Sequence, residues 1–264
     1  MARRISENQF QVGELELNYA TGPDNGPQMV LLHGLAARWQ TFMPVVPALS
    51  QEWQLFLLDL RGHGLSGRTP GHYRLPDFTG DVIAFLEAQT APPVVLYGHS
   101  LGGWIALDIA ARRPDLVRAV IAGDSALYTD HLDPDAAISY LANLPLAMRS
   151  LAKSMTQMDP AAMSAFHDGE MTIGYEPDVI FPLISCPVLL LQADPERGGL
   201  MTDGDVTRAL SLLRDGKHAK FPGLGHGLHV EDSGQILDAV TPFLATLPAP
   251  VGWAPRRRPA RPRA

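Results

Sequence analysis

The segment that decides the fold reads VVLYGHSLGG and covers residues 94–103. Its first four residues are apolar and suit a buried strand, and GHSLG at 98–102 matches the pattern G-x-S-x-G. Residues 101–112 then read as a helix. A serine on such a strand-to-helix turn is pushed out at the sheet edge, and the flanking glycines provide the room it needs. Because the helix N-terminus also directs backbone N–H groups at any anion formed there, Ser100 is the candidate nucleophile.

Short apolar runs on both sides of this segment predict the rest of the sheet. The runs are MVLLHG (29–34), WQLFLLDL (53–60), VRAVIAG (117–123), PVLLLQA (187–193) and HAKFPG (218–223). Continuous apolar character is typical of strands that helices cover on both faces. Helical patterns lie between the runs, and residues 10–19 alternate as expected for a hairpin at a sheet edge. The sequence therefore predicts an α/β fold with a mostly parallel central sheet flanked by helices.

Residues 126–182 interrupt this alternation of strands and helices. They contain no strand-like run, but they hold two helix-favouring stretches rich in Met, Leu and Ala. Such a long connection between core strands is uncommon, so we expect a helical cap at 126–182 over a core formed by residues 1–125 and 183–251. Residues 252–264 alternate proline with arginine, which predicts an extended, disordered basic tail.

Composition and charge narrow the class of protein. The chain has 264 residues, a net charge of −7 and a single cysteine, Cys186, which cannot form an internal disulfide. An acidic body is a poor platform for nucleic-acid phosphates. No apolar run approaches the roughly 20 residues of a membrane-spanning helix. The first residues are basic but no apolar stretch follows them, so we do not expect a secretory signal there. We therefore expect a cytoplasmic protein with a small-molecule substrate and no nucleic-acid or membrane partner. The sequence leaves open whether the protein forms a homodimer.

Four motifs in order resemble those of the α/β-hydrolase family over about residues 10–248. His33-Gly34 after MVLL resembles the oxyanion-loop motif of the family, and DLRGHGLSG at 59–67 resembles its D-x-R-G-x-G-x-S loop. GHSLGG at 98–103 is similar to its nucleophile elbow, and PGLGHGLHVED at 222–232 resembles the G-x-G-H segment that follows its last strand. The resemblance implies a fold with a helical cap and the activity of a serine esterase.

A serine hydroxyl needs a neighbouring base to become a good nucleophile. Among nine histidines, His226 is the candidate because it follows the last core strand, and the ordinary histidine pKa of about 6.5 suits proton transfer near neutral pH. The spacing of His226, His229 and Glu231 also resembles that of metal ligands, but these residues follow a strand in a glycine-rich loop rather than on one face of a helix. We expect no metal and no organic cofactor.

Two aspartates compete for the acid that orients His226. Asp194 follows the run PVLLLQA, at the site that most members of the family use, although the usual G-x-x-D spacing is not kept. Asp124 follows VRAVIAG, the alternative acid site of some members. Asp194 is favoured, Asp124 is the alternative, and Glu196 comes third. The chain order Ser, Asp, His holds for each aspartate.

The resemblance also implies an oxyanion hole made by the backbone N–H groups of Leu35 and Leu101. His33, Gly34 and Trp104 are expected at the substrate. Under an apolar cap, the predicted substrate is a small, mostly hydrophobic ester, thioester or lactone that is cleaved through an acyl-enzyme intermediate. A carbon–carbon bond hydrolase or a cofactor-free peroxidase of the same fold stays open, as does a non-catalytic ligand receptor.

Overall fold

An eight-stranded sheet forms the centre of the protein. The structure, a computed structural model, describes residues 5–130, 132–135, 154 and 156–248. The strands are β1 (Ser6–Val12), β2 (Leu15–Thr21), β3 (Gln28–Leu32), β4 (Gln54–Leu58), β5 (Val94–His99), β6 (Val117–Gly123), β7 (Val188–Gln192) and β8 (Gly216–Lys220). Their order across the sheet is β1-β2-β4-β3-β5-β6-β7-β8. β1 and β2 form the predicted antiparallel edge hairpin, and β2 pairs in antiparallel with β4. The strands β3, β4, β5, β6, β7 and β8 run parallel to one another.

Helices cover both faces of this sheet. The described helices are α1 (Val46–Leu49), α2 (Leu75–Gln89), α3 (Leu101–Arg112), α4 (Pro160–His167), α5 (Pro177–Ile180), α6 (Asp203–Leu212), α7 (Leu228–Glu231) and α8 (Ser233–Ala245). Alternate residues of each inner strand enter two separate apolar clusters, as Leu96 and Val95 of β5 do. One cluster includes α2 and α3, and the other includes α1 and α8. This double coverage explains the continuous apolar runs of the sequence and confirms the predicted fold class.

The last strand differs from its prediction. The sequence run at 218–223 suggested a buried strand, whereas β8 spans Gly216–Lys220 and is largely exposed. Within the described part of the chain, β8 pairs only with β7 and ends the sheet. An edge strand has one neighbour and needs less apolar surface, so its polar residues stand in solvent.

Only part of the predicted cap can be described. Within residues 156–182, α4 and α5 pack on the same apolar cluster as α3, through the buried side chains of Ala162 and Ala165 in α4 and of Ile180 in α5. Residues 131, 136–153 and 155 of the predicted cap, and the predicted tail at 252–264, lie outside the described residues. The division into core, cap and tail stays a prediction.

None of the helices in the described part of the chain has the length and apolar character required to span a membrane. The arrangement that positions the site is the pairing of β5 with β6. His99, the last residue of β5, lies opposite Gly123, the last residue of β6. Ser100 and Asp124, which follow them directly, therefore leave the sheet side by side at its carboxyl edge.

Candidate active site

Ser100 occupies a tight turn between β5 and α3. Its backbone has φ 53° and ψ −119°, a region that costs a non-glycine residue about 1–3 kcal/mol. Its N–H donates to the carbonyl of Gly123 at 2.8 Å. A Cβ at Gly98 would lie 2.1 Å from the carbonyl oxygen of Gly102, and one at Gly102 would lie 1.9 Å from that of Leu32. The glycines of the motif are needed because strand, turn and helix approach one another at backbone distance.

Backbone strain is concentrated around this turn. In the described residues, the non-glycine residues with positive φ are Ala36, Ser100, Asp124 and Leu228. They lie in the segments that follow β3, β5, β6 and β8, which leave the sheet at one edge, and Leu228 is the first residue of α7. Strained residues persist where the surrounding structure holds them in place, and they cluster at functional sites. The distribution of strain therefore marks this edge as the candidate site.

His226 and Asp124 are in direct contact. Nδ1 of His226 lies 2.7 Å from Oδ2 of Asp124, whose carboxylate is fully buried, while 13% of the His226 side chain is exposed. Backbone N–H groups also donate to this carboxylate, from Ala193 at 3.1 Å, Leu200 at 2.9 Å and Met201 at 3.3 Å. Because a carboxylate only accepts, Nδ1 of His226 carries the proton of their bond, and Nε2 is the basic nitrogen of the neutral ring.

Asp194 has different partners, which corrects the preference for it. Its Oδ1 accepts from the N–H of Glu196 at 3.0 Å, and its Oδ2 accepts from the N–H of Gly223 at 2.8 Å. These bonds, with that of Gly223 first, hold the pKa of the Asp194 carboxyl below its usual range. The carboxylate of Asp194 stabilises a turn, and the carboxylate in contact with His226 is that of Asp124. The reason is strand order, because β6 is the neighbour of β5 and β7 lies one strand farther away.

Two backbone amides are available beside Ser100. A Cβ at Gly34 would lie 2.9 Å from the Cβ of Ser100, so the loop after β3 packs directly on the candidate nucleophile. Among the described residues, no acceptor takes the N–H of Leu35 in this loop or that of Leu101, the first residue of α3. Both amides occupy positions suited to the predicted oxyanion hole, and their role stays a prediction.

The loop after β3 is held by a buried carboxylate. Asp59 is 1% exposed, and its Oδ1 accepts from the N–H of Trp39 at 2.8 Å. Its Oδ2 accepts from the side chain of Asn18 at 2.8 Å and from the N–H of Leu65 at 3.0 Å. Asp59 therefore has a structural role, which is to fasten the loop that carries Gly34.

Comparisons with known proteins identify the family of the chain. The family model described as alpha/beta hydrolase fold matches residues 27–175, more than half of the chain. The chain belongs to the α/β-hydrolase fold family. The chain is 27% identical to the 2-(acetamidomethylene)succinate hydrolase of Mesorhizobium japonicum, over 92% of this chain and 99% of that protein. It is 29% identical to the pimeloyl-[acyl-carrier protein] methyl ester esterase of Xanthomonas campestris pv. campestris, over 85% of this chain and 97% of that one.

Solved structures of α/β hydrolases superpose on the same fold. The crystal structure of E-2-(acetamidomethylene)succinate hydrolase aligns with a TM-score of 0.77 at 22% identity, over 92% of this chain and all of that one. The enol-lactonase from Burkholderia xenovorans LB400 aligns with a TM-score of 0.78 at 20% identity, over 90% of this chain and all of that one. These likenesses confirm the fold.

Two residues expected at the substrate have other roles in this α/β hydrolase. His33 is fully buried, its Nε2 accepts from the N–H of Leu60 at 3.0 Å, and its Nδ1 donates to the carbonyl of Gly34 at 2.8 Å. Burial lowers the pKa of His33 to about 4, so the ring stays neutral and links two loops. Trp104 is 4% exposed, and its Nε1–H donates to the carbonyl of Ala126 at 2.6 Å. The expectation of substrate contact is corrected for both, since both rings are buried.

Sequence reasoning missed two contributors to the site. The first is the loop after β7, whose backbone amides at Ala193, Leu200 and Met201 hold the Asp124 carboxylate. Backbone donors leave no signature in the sequence. The second is His99, whose Nε2 lies 2.7 Å from the carbonyl oxygen of His226. Its place inside the motif of the nucleophile was the one available signal.

Proposed function

We propose that the chain is a serine hydrolase that cleaves carboxylic esters, thioesters or lactones through an acyl-enzyme intermediate. Ser100 is the nucleophile, His226 is the general base and Asp124 is the acid that orients it. The observation that carries this proposal is the 2.7 Å contact between His226 and the buried Asp124 carboxylate, next to the strained turn of Ser100.

The named relatives support an ester-acting hydrolase. The two that were compared over most of their length carry the names of a hydrolase and of a methyl ester esterase. The family to which the chain belongs supports acyl-transfer chemistry at the same edge of the sheet, where the nucleophile elbow lies. The substrate class is our proposal, because one fold supports many substrates.

Each proton has a place in the proposed reaction. Nε2 of neutral His226 takes the proton of the Ser100 hydroxyl as its oxygen attacks the carbonyl carbon. The N–H groups of Leu35 and Leu101 stabilise the oxyanion, and the loss of one such donor typically costs about 10²–10³-fold in rate. Asp124 stabilises the imidazolium, which then protonates the leaving group. A water molecule then attacks the acyl-enzyme with His226 as its base and the same N–H donors at the oxyanion, and the carboxylic acid product leaves Ser100.

We propose a small, mostly apolar acyl group for the substrate. Leu35 and Leu200 are partly exposed side chains on the two loops that would hold the oxyanion and the acid, and both pack against the apolar cluster around α3. Apolar lining with a few placed polar donors is typical of sites for small molecules. The net charge of −7 supports a partner other than nucleic acid.

A fluorophosphonate probe tests the enzyme against a non-catalytic receptor. The wild-type chain should be labelled once, at Ser100, and Ser100→Ala should not be labelled. p-Nitrophenyl esters of rising chain length, with lactones and ring-fission diketones beside them, then assign the substrate class. A wild-type chain that is not labelled and turns over none of these compounds would contradict the proposed function.

A further inference from the structure

His99 lies beneath the proposed base rather than beside the substrate. Its Nε2 is 2.7 Å from the backbone carbonyl oxygen of His226, and the centres of the two rings are 4.7 Å apart with an angle of 40° between them. A carbonyl oxygen only accepts, so Nε2 of His99 carries the hydrogen of this bond. The loop that carries the base therefore rests on the residue that precedes the nucleophile.

The same imidazole also lies close to the other two loops of the site. A Cβ at Gly34 would lie 3.2 Å from Nδ1 of His99, and a Cβ at Gly123 would lie 3.6 Å from its Cδ2. Gly34 precedes the proposed oxyanion donor, and Gly123 precedes the acid. One side chain thus lies close to the loops of the proposed oxyanion hole and acid and donates a hydrogen bond to the loop of the proposed base, and the turn at Ser100 directs it there.

The environment keeps His99 neutral. Burial lowers its pKa well below 6.5, and the neighbouring His226, His229 and His33 lower it further. The ring of His229 meets that of His99 edge-on, with 5.1 Å between centres. Since Nε2 carries the single hydrogen of the neutral ring, Nδ1 faces Gly34 as a lone pair, and the donor to His226 persists when that residue becomes charged.

We propose that His99 is a positioning residue whose Nε2–H holds the backbone carbonyl of His226, so that the proposed base keeps its alignment between Asp124 and Ser100. The inference rests on the proposed function of these three residues. The contact of His226 with Asp124 restrains the Nδ1 side of the imidazole. The bond from His99 restrains the backbone of the same residue, and two restraints are needed to define where Nε2 of the base lies.

Glutamine and asparagine form a matched pair for testing this role. The side-chain nitrogen of Gln reaches the position of Nε2 in histidine, whereas that of Asn reaches only the position of Nδ1. His99→Gln therefore keeps the donor to His226, and His99→Asn removes it. For His99→Asn we expect kcat for a p-nitrophenyl ester to fall on the order of 10²-fold with KM within about threefold, because a misplacement of about 1 Å costs that much. His99→Gln should recover kcat to within about tenfold of the wild type.

A purely structural role would give a different pattern. Both variants remove a buried imidazole and should lose similar thermal stability, so melting temperatures measured by circular dichroism are the control for folding. Equal kcat for the two variants, whether both are near wild type or both are strongly reduced, would overturn the proposal. A rise in KM with unchanged kcat in His99→Asn would overturn it as well.

A measurement on the wild-type chain does not depend on any variant folding. The nitrogen-15 shifts of labelled histidine should assign His99 to the neutral form protonated at Nε2 at pH 7. An assignment to the form protonated at Nδ1 would overturn the inference, because that form cannot donate to His226. Failure of the proposed function looks different, since the fluorophosphonate would then leave the wild-type Ser100 unlabelled.

Discussion

Replacement of Asp124 by asparagine tests the proposed acid, because it changes how many hydrogen bonds this side chain can accept. Oδ1 accepts from the N–H groups of Ala193 and Met201, and Oδ2 accepts from the N–H of Leu200 and from Nδ1 of His226. An asparagine has one oxygen and one NH₂ group, so it can satisfy only one of these pairs. The orientation of the amide therefore decides the state of the base.

The two orientations differ in their cost. With the amide oxygen toward Ala193 and Met201, only the N–H of Leu200 loses its acceptor, and His226 has to accept at Nδ1. The opposite orientation leaves the two donors Ala193 and Met201 without an acceptor. Each buried donor without a partner costs about 1–3 kcal/mol, so the first orientation prevails by roughly 5- to 150-fold. In that orientation the hydrogen of His226 sits on Nε2, which can no longer take the serine proton.

Asp124→Asn should therefore lose on the order of 10⁴-fold in kcat with the fold intact. The single donor without an acceptor predicts a loss of about 1–3 kcal/mol in the free energy of unfolding, or about 2–4 °C in Tm for each kcal/mol. The assay is turnover of a p-nitrophenyl ester, with Tm from circular dichroism. Asp194→Asn is the matched control and should keep most of the activity. If Asp124→Asn stays within tenfold of wild type while Asp194→Asn collapses, the reasoning is refuted.

Three further predictions follow from the same structure. Ser100→Ala should abolish ester turnover with Tm nearly unchanged. Ser100→Gly should also abolish turnover, but it should raise the unfolding free energy by about 1 kcal/mol, because φ 53° and ψ −119° suit glycine. A glycine variant that is less stable than the wild type in urea denaturation would contradict the backbone strain at Ser100. Gly102→Ala should destabilise the protein by about 1–3 kcal/mol, because the added Cβ would meet the Leu32 carbonyl. Gly80 faces open space on α2, so Gly80→Ala should stabilise the protein by about 0.5–1 kcal/mol. Equal effects of the two substitutions in urea denaturation would refute the packing argument. Burial lowers the pKa of His229 to about 3, so this histidine stays neutral in the folded chain. In the unfolded chain it binds a proton below about pH 6.5, and the protein therefore loses stability as the pH falls. His229→Phe should shrink the difference in unfolding free energy between pH 7 and pH 5 by about 2 kcal/mol, and an unchanged difference would count against it.

The correction at the acid illustrates the limit of reading the sequence. Asp124 and Asp194 each follow a buried apolar run directly, and each satisfies the required chain order. Their local patterns are equivalent, and the information that separates them is the identity of the strand next to β5. That identity depends on which apolar faces pair across the whole sheet, which no short stretch of sequence contains.

His33 and Trp104 illustrate a second limit. Both residue types occur in binding sites and in cores, and their positions near the motifs favoured the first interpretation. Burial decides between the two, and here each ring has its hydrogen bonds satisfied inside the protein. Whether a side chain reaches a surface is a property of all the elements that pack around it.

The sequence by itself determined the fold class and the place of the candidate nucleophile, because apolar runs and glycines act through short-range physics. A strand buried on both faces needs continuous apolar residues, and a tight strand-to-helix turn needs glycines around Ser100. The tertiary structure alone decided that Asp124 contacts His226, that backbone amides after β7 hold this carboxylate, and that His99 lies beneath the base. These contacts join residues about 70 to 130 positions apart in the chain, and only the packing of the complete sheet brings them within hydrogen-bonding distance.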